Sequence, residues 1–585
     1  MQMRPPGVYI EREEHRDFSL GIGRTGIPAF LAITTRGPLN QPVQINSFKS
    51  FCSIFGERVP GGYSYDSVKA FFDNGGRECV IVRIARTEAR GSTERATTAG
   101  VLVKDRKGTD TVGLFARNEG TWGNEITVEV VNPPPTAQTF LTADLGANEC
   151  SCVVKSARGF ARGTIVRIHD GESEAYVTLV RVEAKTLHWA PSEVIPRRFR
   201  AATPTYLEPM EFEIRAASPE VKEVFSGLSF SLLSERHFER SVNALSQLIR
   251  VEDFGSPHEL PLCLPVNLPA TRLSGGMDGI ANIGPDDFVG FNSGPNERKG
   301  LGALDEVDEI DLLLAPDLMY ALQHSSRFRS LKDVEAVQEA LVANCEKWRN
   351  RFAILDSPPS FGYEQALQWR MLFDSSYGGL YYPWIKIESR GQQLLIPPSG
   401  FVAGVIAKND RIGVHHPPAN VLLEGAIDLE ILLNDAHLGH LNAEGVNCIR
   451  YFPNRGIRIW GARTLASDAQ WKYVNVRRIM TMLVRVLQEG TQWVVFEPNE
   501  PSLWSRVTLN VAEFLDRLHG KGYFQGDTKE QGYYVKCDAE TNPPEVRDAG
   551  VLIMEIGVAP VRPAEFLVFR IKQTLEDQGA ESNEG

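Results

Sequence analysis

At 585 residues, 42% hydrophobic and 23% charged, the chain is too long for one hydrophobic core and has the composition of a globular protein with several domains. No run of about 18 apolar residues is present, which excludes a helix-spanning membrane protein, and a formal net charge of −12 argues against a general nucleic-acid binder. The start MQMRPPGVYI lacks a basic stretch followed by an apolar one, so folding in a cytoplasm is expected, with the eight cysteines (Cys52, Cys79, Cys150, Cys152, Cys263, Cys345, Cys448, Cys537) as reduced thiols.

Residues 5–13, PPGVYIERE, place three residues of extended-chain composition before a run of charge and predict a strand without an evident partner. IPAFLAITTRGPLNQPVQINSF then alternates apolar runs with Pro, Gly and Asn. SYDSVKAFFDNGG reads as a helix stopped by Gly75 and Gly76, and ECVIVRIAR as a buried strand, which together give the α/β signature. TEARGSTERATTAG is polar and reads as a linker or surface loop. From about Val112 to Ala201 the stretches ITVEVVNPP, ECSCVVK, GTIVRIHDG and AYVTLVRVEAKTLHWA are short alternating strands, which predict an all-β insertion.

Helical periodicity returns in ERSVNALSQLIR and in LKDVEAVQEALVANCEKW, where Val334, Val337, Leu341, Cys345 and Trp348 share one face. With IDLLLAP before it and RFAILD after it, the second of these forms another α/β block. KYVNVRRIMTMLVRVLQEG predicts an amphipathic helix with Val476, Ile479, Met480, Leu483, Val486 and Leu487 on the apolar side and Arg478 and Arg485 on the polar side. VLIMEIGVAPVRPAEFLVFRIKQ is strand-rich, and the acidic TLEDQGAESNEG is expected to be disordered. The expected fold class is α/β in the mixed α+β sense, in a multidomain chain with an all-β insertion domain.

Motifs of chemistry are weak. G-x-G-x-x-G occurs at Gly21, Gly23 and Gly26, but no helix composition follows and no acid lies between Asp17 and Glu57, so a turn is expected there and not a dinucleotide site. LSGGMDG lacks the GK[ST] of a P-loop, and His415–His416 sits in a proline-bounded loop without nearby ligand partners. No HExxH, GxSxG or EF-hand spacing occurs, so no catalytic residue, metal ligand or cofactor is assigned and the chain is not expected to be an enzyme. One feature stands out in so acidic a chain. Between Cys448 and Arg485 seven arginines and one lysine (Arg450, Arg455, Arg458, Arg463, Lys472, Arg477, Arg478, Arg485) face one acid, Asp468, which predicts a basic surface for an acidic protein partner.

Taken in order, PPGVYIERE, TGIPAFLAITTRGPLNQPVQINSFKSFCSIFG, AFFDNGGRECVIVRIA, GTWGNEITVEV, LSGGMDG, SSYGGLYYPW, IPPSGFVAGVIAKND, PNRGIRIWGARTL, YVNVRRIM, WVVFEPNEPSLWSRV, YYVKCDAETNP and IGVAPVRPAEFLVFRI resemble the tail sheath proteins of contractile phages and phage-tail-like injection particles. The resemblance implies a structural subunit. Hexameric rings would stack helically around an inner tube, between baseplate and terminal cap proteins, and contract to drive the tube through a target membrane. It also implies extended N- and C-terminal strands donated to neighbouring copies, here Gly7, Val8, Tyr9 and Ile10, and Phe566, Leu567, Val568, Phe569, Arg570 and Ile571. The helix carrying Arg477, Arg478 and Arg485, with Lys472 before it, would lie against the tube.

The division expected on this reading is an arm at 1–24, a first sheath part at 25–100, an outer all-β insertion at 101–205, a second sheath part at 206–360 and an inner domain at 361–585. Contraction of a metastable lattice requires no nucleotide or other cofactor. Neither nucleic-acid binding nor membrane insertion is implied, and assembly would take place in a bacterial cytoplasm. The sheath of a true phage tail is the near alternative. A nucleic-acid-binding structural protein and an α/β enzyme are alternatives of other classes.

Overall fold

The computed structural model describes residues 20–87, 95–193, 195–294 and 297–565. Its centre is an eight-stranded sheet of β1 (Pro28–Ala32), β2 (Val43–Ile45), β3 (Cys79–Arg83), β4 (Leu312–Leu314), β5 (Phe352–Asp356), β6 (Gly378–Tyr382), β7 (Val446–Phe452) and β8 (Gly456–Ile459). The order is β2-β3-β1-β4-β5-β6-β7-β8; the six inner strands run parallel, and β2 and β8 close the edges antiparallel. PAFLA, CVIVR and FAILD are buried along their whole length, as parallel strands covered on both faces must be.

Successive residues of each strand feed two different cores. Leu31, Val82, Leu313 and Leu355 meet Val334, Val337, Leu341 and Cys345 of α2 (Leu331–Trp348). On the other face Phe30, Ile81, Leu314 and Ile354 meet α1 (Ser64–Asp73) and α3 (Ser399–Asp410). At the start of helix α2 the Asp333 carboxylate accepts from the Ser330 N–H at 2.9 Å. Helix α3 is buried nearly all round, and its Gly404 lets α1 come close, since a Cβ there would lie 2.7 Å from the Phe71 carbonyl oxygen.

The all-β region is longer than the expected 101–205. Strands continue to Leu268–Arg272 and form a three-stranded sheet, a four-stranded sheet and a six-stranded sheet, with one helix at Phe238–Leu245. The 206–272 stretch falls on the β side because its strands complete sheets begun earlier: Phe212–Ala217 pairs with Thr127–Val131, and Ile249–Asp253 with Asp110–Ala116. Two cores of its own result, one around Leu114, Val128, Ile214 and Phe238 and one around Val166, Val177, Leu187 and Phe199. The insertion rejoins the body where Thr97 and Met277 exchange backbone hydrogen bonds at 3.0 and 3.1 Å.

A further core forms at the C-terminal end. Ile479, Met482, Leu483 and Val486 of α4 (Val474–Gly490) pack with Val507, Val511, Phe514 and Leu518 of α5 (Pro501–Gly520). Against them lies a two-stranded ribbon of β9 (Tyr533–Lys536) and β10 (Glu555–Val558). Among the described residues no helix is long and apolar enough to cross a membrane.

Candidate functional site

Helix α4 has the predicted apolar stripe, but its arginines do not point where expected. Arg478 is buried: its guanidinium bonds both Asp410 oxygens at 2.6 Å and Asp311 at 2.7 Å. Burial opposes its charge, yet the two carboxylates outweigh that cost and hold its pKa above the ordinary arginine range. Arg477 is also buried, with its guanidinium 3.6 Å from the Trp471 ring centroid and 4.2 Å from that of Tyr377, and desolvation lowers its pKa. The expectation of a polar face carrying Arg478 is therefore corrected. Its partners are distant in sequence, and the fold brings them to it. Lys472 and Arg485 remain half-buried. Lys472 rims an open groove lined by Met371, Phe373, Asp374, Glu444 and Arg463, and Arg485 donates to the Arg24 carbonyl.

The proposed donor strands, Gly7–Ile10 and Phe566–Ile571, lie outside the described residues, but the roots of both segments are described. At the N-terminal root Leu20 is buried in the α4–α5 core and packs where a side chain on Gly490 would overlap it, and Arg517 donates to the Leu20 carbonyl. At the C-terminal root Glu565 accepts from Arg463 Nε at 2.9 Å and Nη2 at 2.6 Å, and from the Tyr473 hydroxyl at 3.2 Å. Burial works against the Glu565 carboxylate, but Arg463 holds its pKa below the usual range. Tyr473 immediately precedes α4 and Gly490 ends it, so the two roots sit at opposite ends of one helix. Sequence reasoning missed Leu20, Arg463 and Glu565 as anchors, and β9–β10 as a separate ribbon.

The place where an α/β enzyme binds its ligand is filled by the chain itself. Strand order reverses between β1 and β4, and such switch points, at the carboxyl ends of the strands, are the usual ligand crevice. Here the buried Asp317 carboxylate occupies it, accepting from Ile33 N at 2.7 Å, Tyr63 N at 2.7 Å, Ser64 N at 3.0 Å and the Ser64 hydroxyl. The Gly21–Gly26 motif leads into β1 and not into a helix; Gly26 takes φ +75° and packs on Ala407. His415 meets Tyr523 with ring centroids 4.2 Å apart and planes tilted by 51°, and desolvation lowers its pKa to about 4.

Comparison with known proteins bears on these elements directly. A family model described as the phage tail sheath protein central domain matches residues 328–465, and one described as the phage tail sheath C-terminal domain matches 466–574. Over residues 328–574 this chain matches the tail sheath family. The two matches take in β5 to β8, the groove, α4, α5 and the β9–β10 ribbon. A putative prophage major tail sheath protein of Pseudomonas aeruginosa is 28% identical over 298 residues, 49% of this chain and 72% of that protein. The tail sheath protein of Vibrio phage KVP40 is 22% identical over 325 residues, 49% of this chain and 47% of that one, so the match spans about half of that relative.

Solved sheath structures share the fold. The helical sheath of the anti-feeding prophage in its contracted state is 20% identical, with TM-score 0.52, covering 98% of this chain and 100% of that one. The contracted sheath of an extracellular contractile injection system, PVC, gives 0.51 at 19% identity, covering 98% and 99%. A sheath tail protein from Listeria innocua gives 0.53 at 12% identity, covering 88% and 90%.

Proposed function

We propose that the chain is the structural sheath subunit of a contractile, phage-tail-like injection particle. Subunits polymerise as helically stacked hexameric rings around an inner tube, bounded by baseplate and cap proteins, after assembly in a bacterial cytoplasm. Residues 7–10 and 566–571 are donated as strands to neighbours. The observation that carries this reading is the placement of both segment roots, Leu20 and Glu565, at the two ends of α4, beside a ribbon that has only two strands among the described residues. A two-stranded ribbon is marginal alone and gains from added strands. A contact that is head-to-tail and does not close builds a helical lattice.

On this reading Lys472 and Arg485 are the α4 charges that remain for the tube, while Arg477 and Arg478 stiffen the helix from within. The role is mechanical: contraction draws on packing between subunits, with no bond-making chemistry. A true phage tail is the second reading, favoured by the names of the sequence relatives. Electron microscopy of the purified chain should show long hollow cylinders, and a chain lacking residues 1–12 should stay a folded monomer. Cylinders from the truncated chain would rule out donation of the N-terminal strand.

A further inference from the structure

The eight basic side chains between Arg450 and Arg485 are not equivalent once folded. Arg463 and Arg478 are paired with carboxylates in the interior, Arg477 is buried between Trp471 and Tyr377, Arg485 holds the Arg24 carbonyl, and Arg450 pairs with Asp435 at 2.6 Å. Arg455 and Arg458, at the turn of the β7–β8 hairpin, have no carboxylate partner among the described residues. They donate instead to uncharged oxygens, Arg455 Nη2 to the Asn420 side-chain oxygen at 2.9 Å, Arg458 Nη1 to the Asn420 carbonyl at 2.8 Å and Arg458 Nε to the Arg455 carbonyl at 3.0 Å. Beside them Phe452 carries the guanidinium groups of Arg450 and Arg455 at 4.8 and 5.4 Å from its ring centroid and meets Trp460 edge-on at 4.6 Å. Stacking on Phe452 fixes the plane of the Arg455 guanidinium and leaves the part of its edge not bonded to Asn420 to take a carboxylate.

We propose that this hairpin is the docking surface for the chain's own acidic segment, residues 576–584, bound in cis in the free subunit. Charge selects the occupant: the segment carries Glu576, Asp577, Glu581 and Glu584, and no Lys or Arg follows Lys572. Reach allows it. Glu565 is fastened to Arg463, which follows Arg455 by eight residues, a path of at most about 27 Å. Residue 576 lies eleven positions beyond Glu565 and can extend about 36 Å from it. Tethering at that range supplies an effective concentration near millimolar, enough for contacts that are weak singly. Exposed ion pairs are also salt-labile, so this docking weakens as ionic strength rises. The docking does not depend on the sheath reading.

The test is zero-length coupling in the full-length chain. Arg455→Lys and Arg458→Lys keep the charge at surface positions and give a carbodiimide an amine to join to carboxylates. A mixture of unlabelled and nitrogen-15-labelled chains separates links within a chain from links between chains, and native Lys386–Asp428, 2.8 Å apart, controls for the chemistry. Links from 455 or 458 to 576–584 within one chain are expected at low salt, falling several-fold at about 0.5 M salt. They should vanish when all four acids of the segment become amides, a change that leaves the hairpin itself intact. Absence of such links while the control forms, or links between chains only, overturns the proposal.

Discussion

Arg478 sits between two carboxylates, Asp311 and Asp410, and its removal strands both in the interior. Arg478→Leu should destabilise the subunit by about 3–5 kcal/mol, because the unpaired charges cost more than the pair contributed. Adding Asp410→Asn should recover part of that loss. A double-mutant cycle by denaturant titration checks this, and additive effects would show that the residues do not act together. Asp356 behaves differently. It is fully buried, and desolvation pushes its carboxyl up to about 7 despite the bond it accepts from Ser399 N at 2.8 Å. The folded chain thus holds this proton more tightly than the unfolded chain, whose carboxyl titrates near 3.9. Stability from this group is full below about pH 4 and declines as pH rises to about 7. Asp356→Asn should flatten that slope in pH-dependent unfolding.

Among the elements, α1 and α3 depend on each other through small residues. Gly404→Val places side-chain atoms against Phe71 and Asn74 and should cost about 1–3 kcal/mol, read as a drop in melting temperature; an unchanged midpoint would mean that the two helices are not in close contact. The same contact explains why α3 is hard to read. SGFVAGVIAKND is apolar on every side, so it carries no helical period to separate it from a buried strand. Helix α2 is legible because one side is exposed, and α4 because the side opposite its stripe is polar even where Arg477 and Arg478 are buried, so the stripe survives in the sequence. Helix α5 also has a stripe at Leu503, Val507, Val511, Phe514 and Leu518, obscured by the prolines that precede it.

For the candidate site, the basic composition of 448–485 was legible and its disposition was not. Asp410, Glu565 and Asp311 lie 68, 102 and 167 residues from the arginines they neutralise, and no local pattern reports such pairing. The end of the insertion was hidden for a related reason, since strands up to Arg272 look local and take their partners from well before residue 206.

At the scale of the molecule, the insertion has its own cores and a paired neck at Thr97 and Met277. A chain with residues 98–276 replaced by a short glycine linker should therefore fold, with Arg83→Leu included because Arg83 otherwise loses its bond to the Glu119 carbonyl. Its melting midpoint should stay within about 1–2 °C of the full chain, the equivalent of about 1 kcal/mol for a chain of roughly 400 residues. Loss of cooperative unfolding would make the insertion integral to the body.

Helix α4 joins the two roots: Glu565 is held at its first turn and Leu20 at its last, across 17 residues or about 25 Å. A pull on either terminal segment is thus taken first by this strut, and Arg478, tied to Asp311 and Asp410, is the point at which it passes into the body beside β4 and α3.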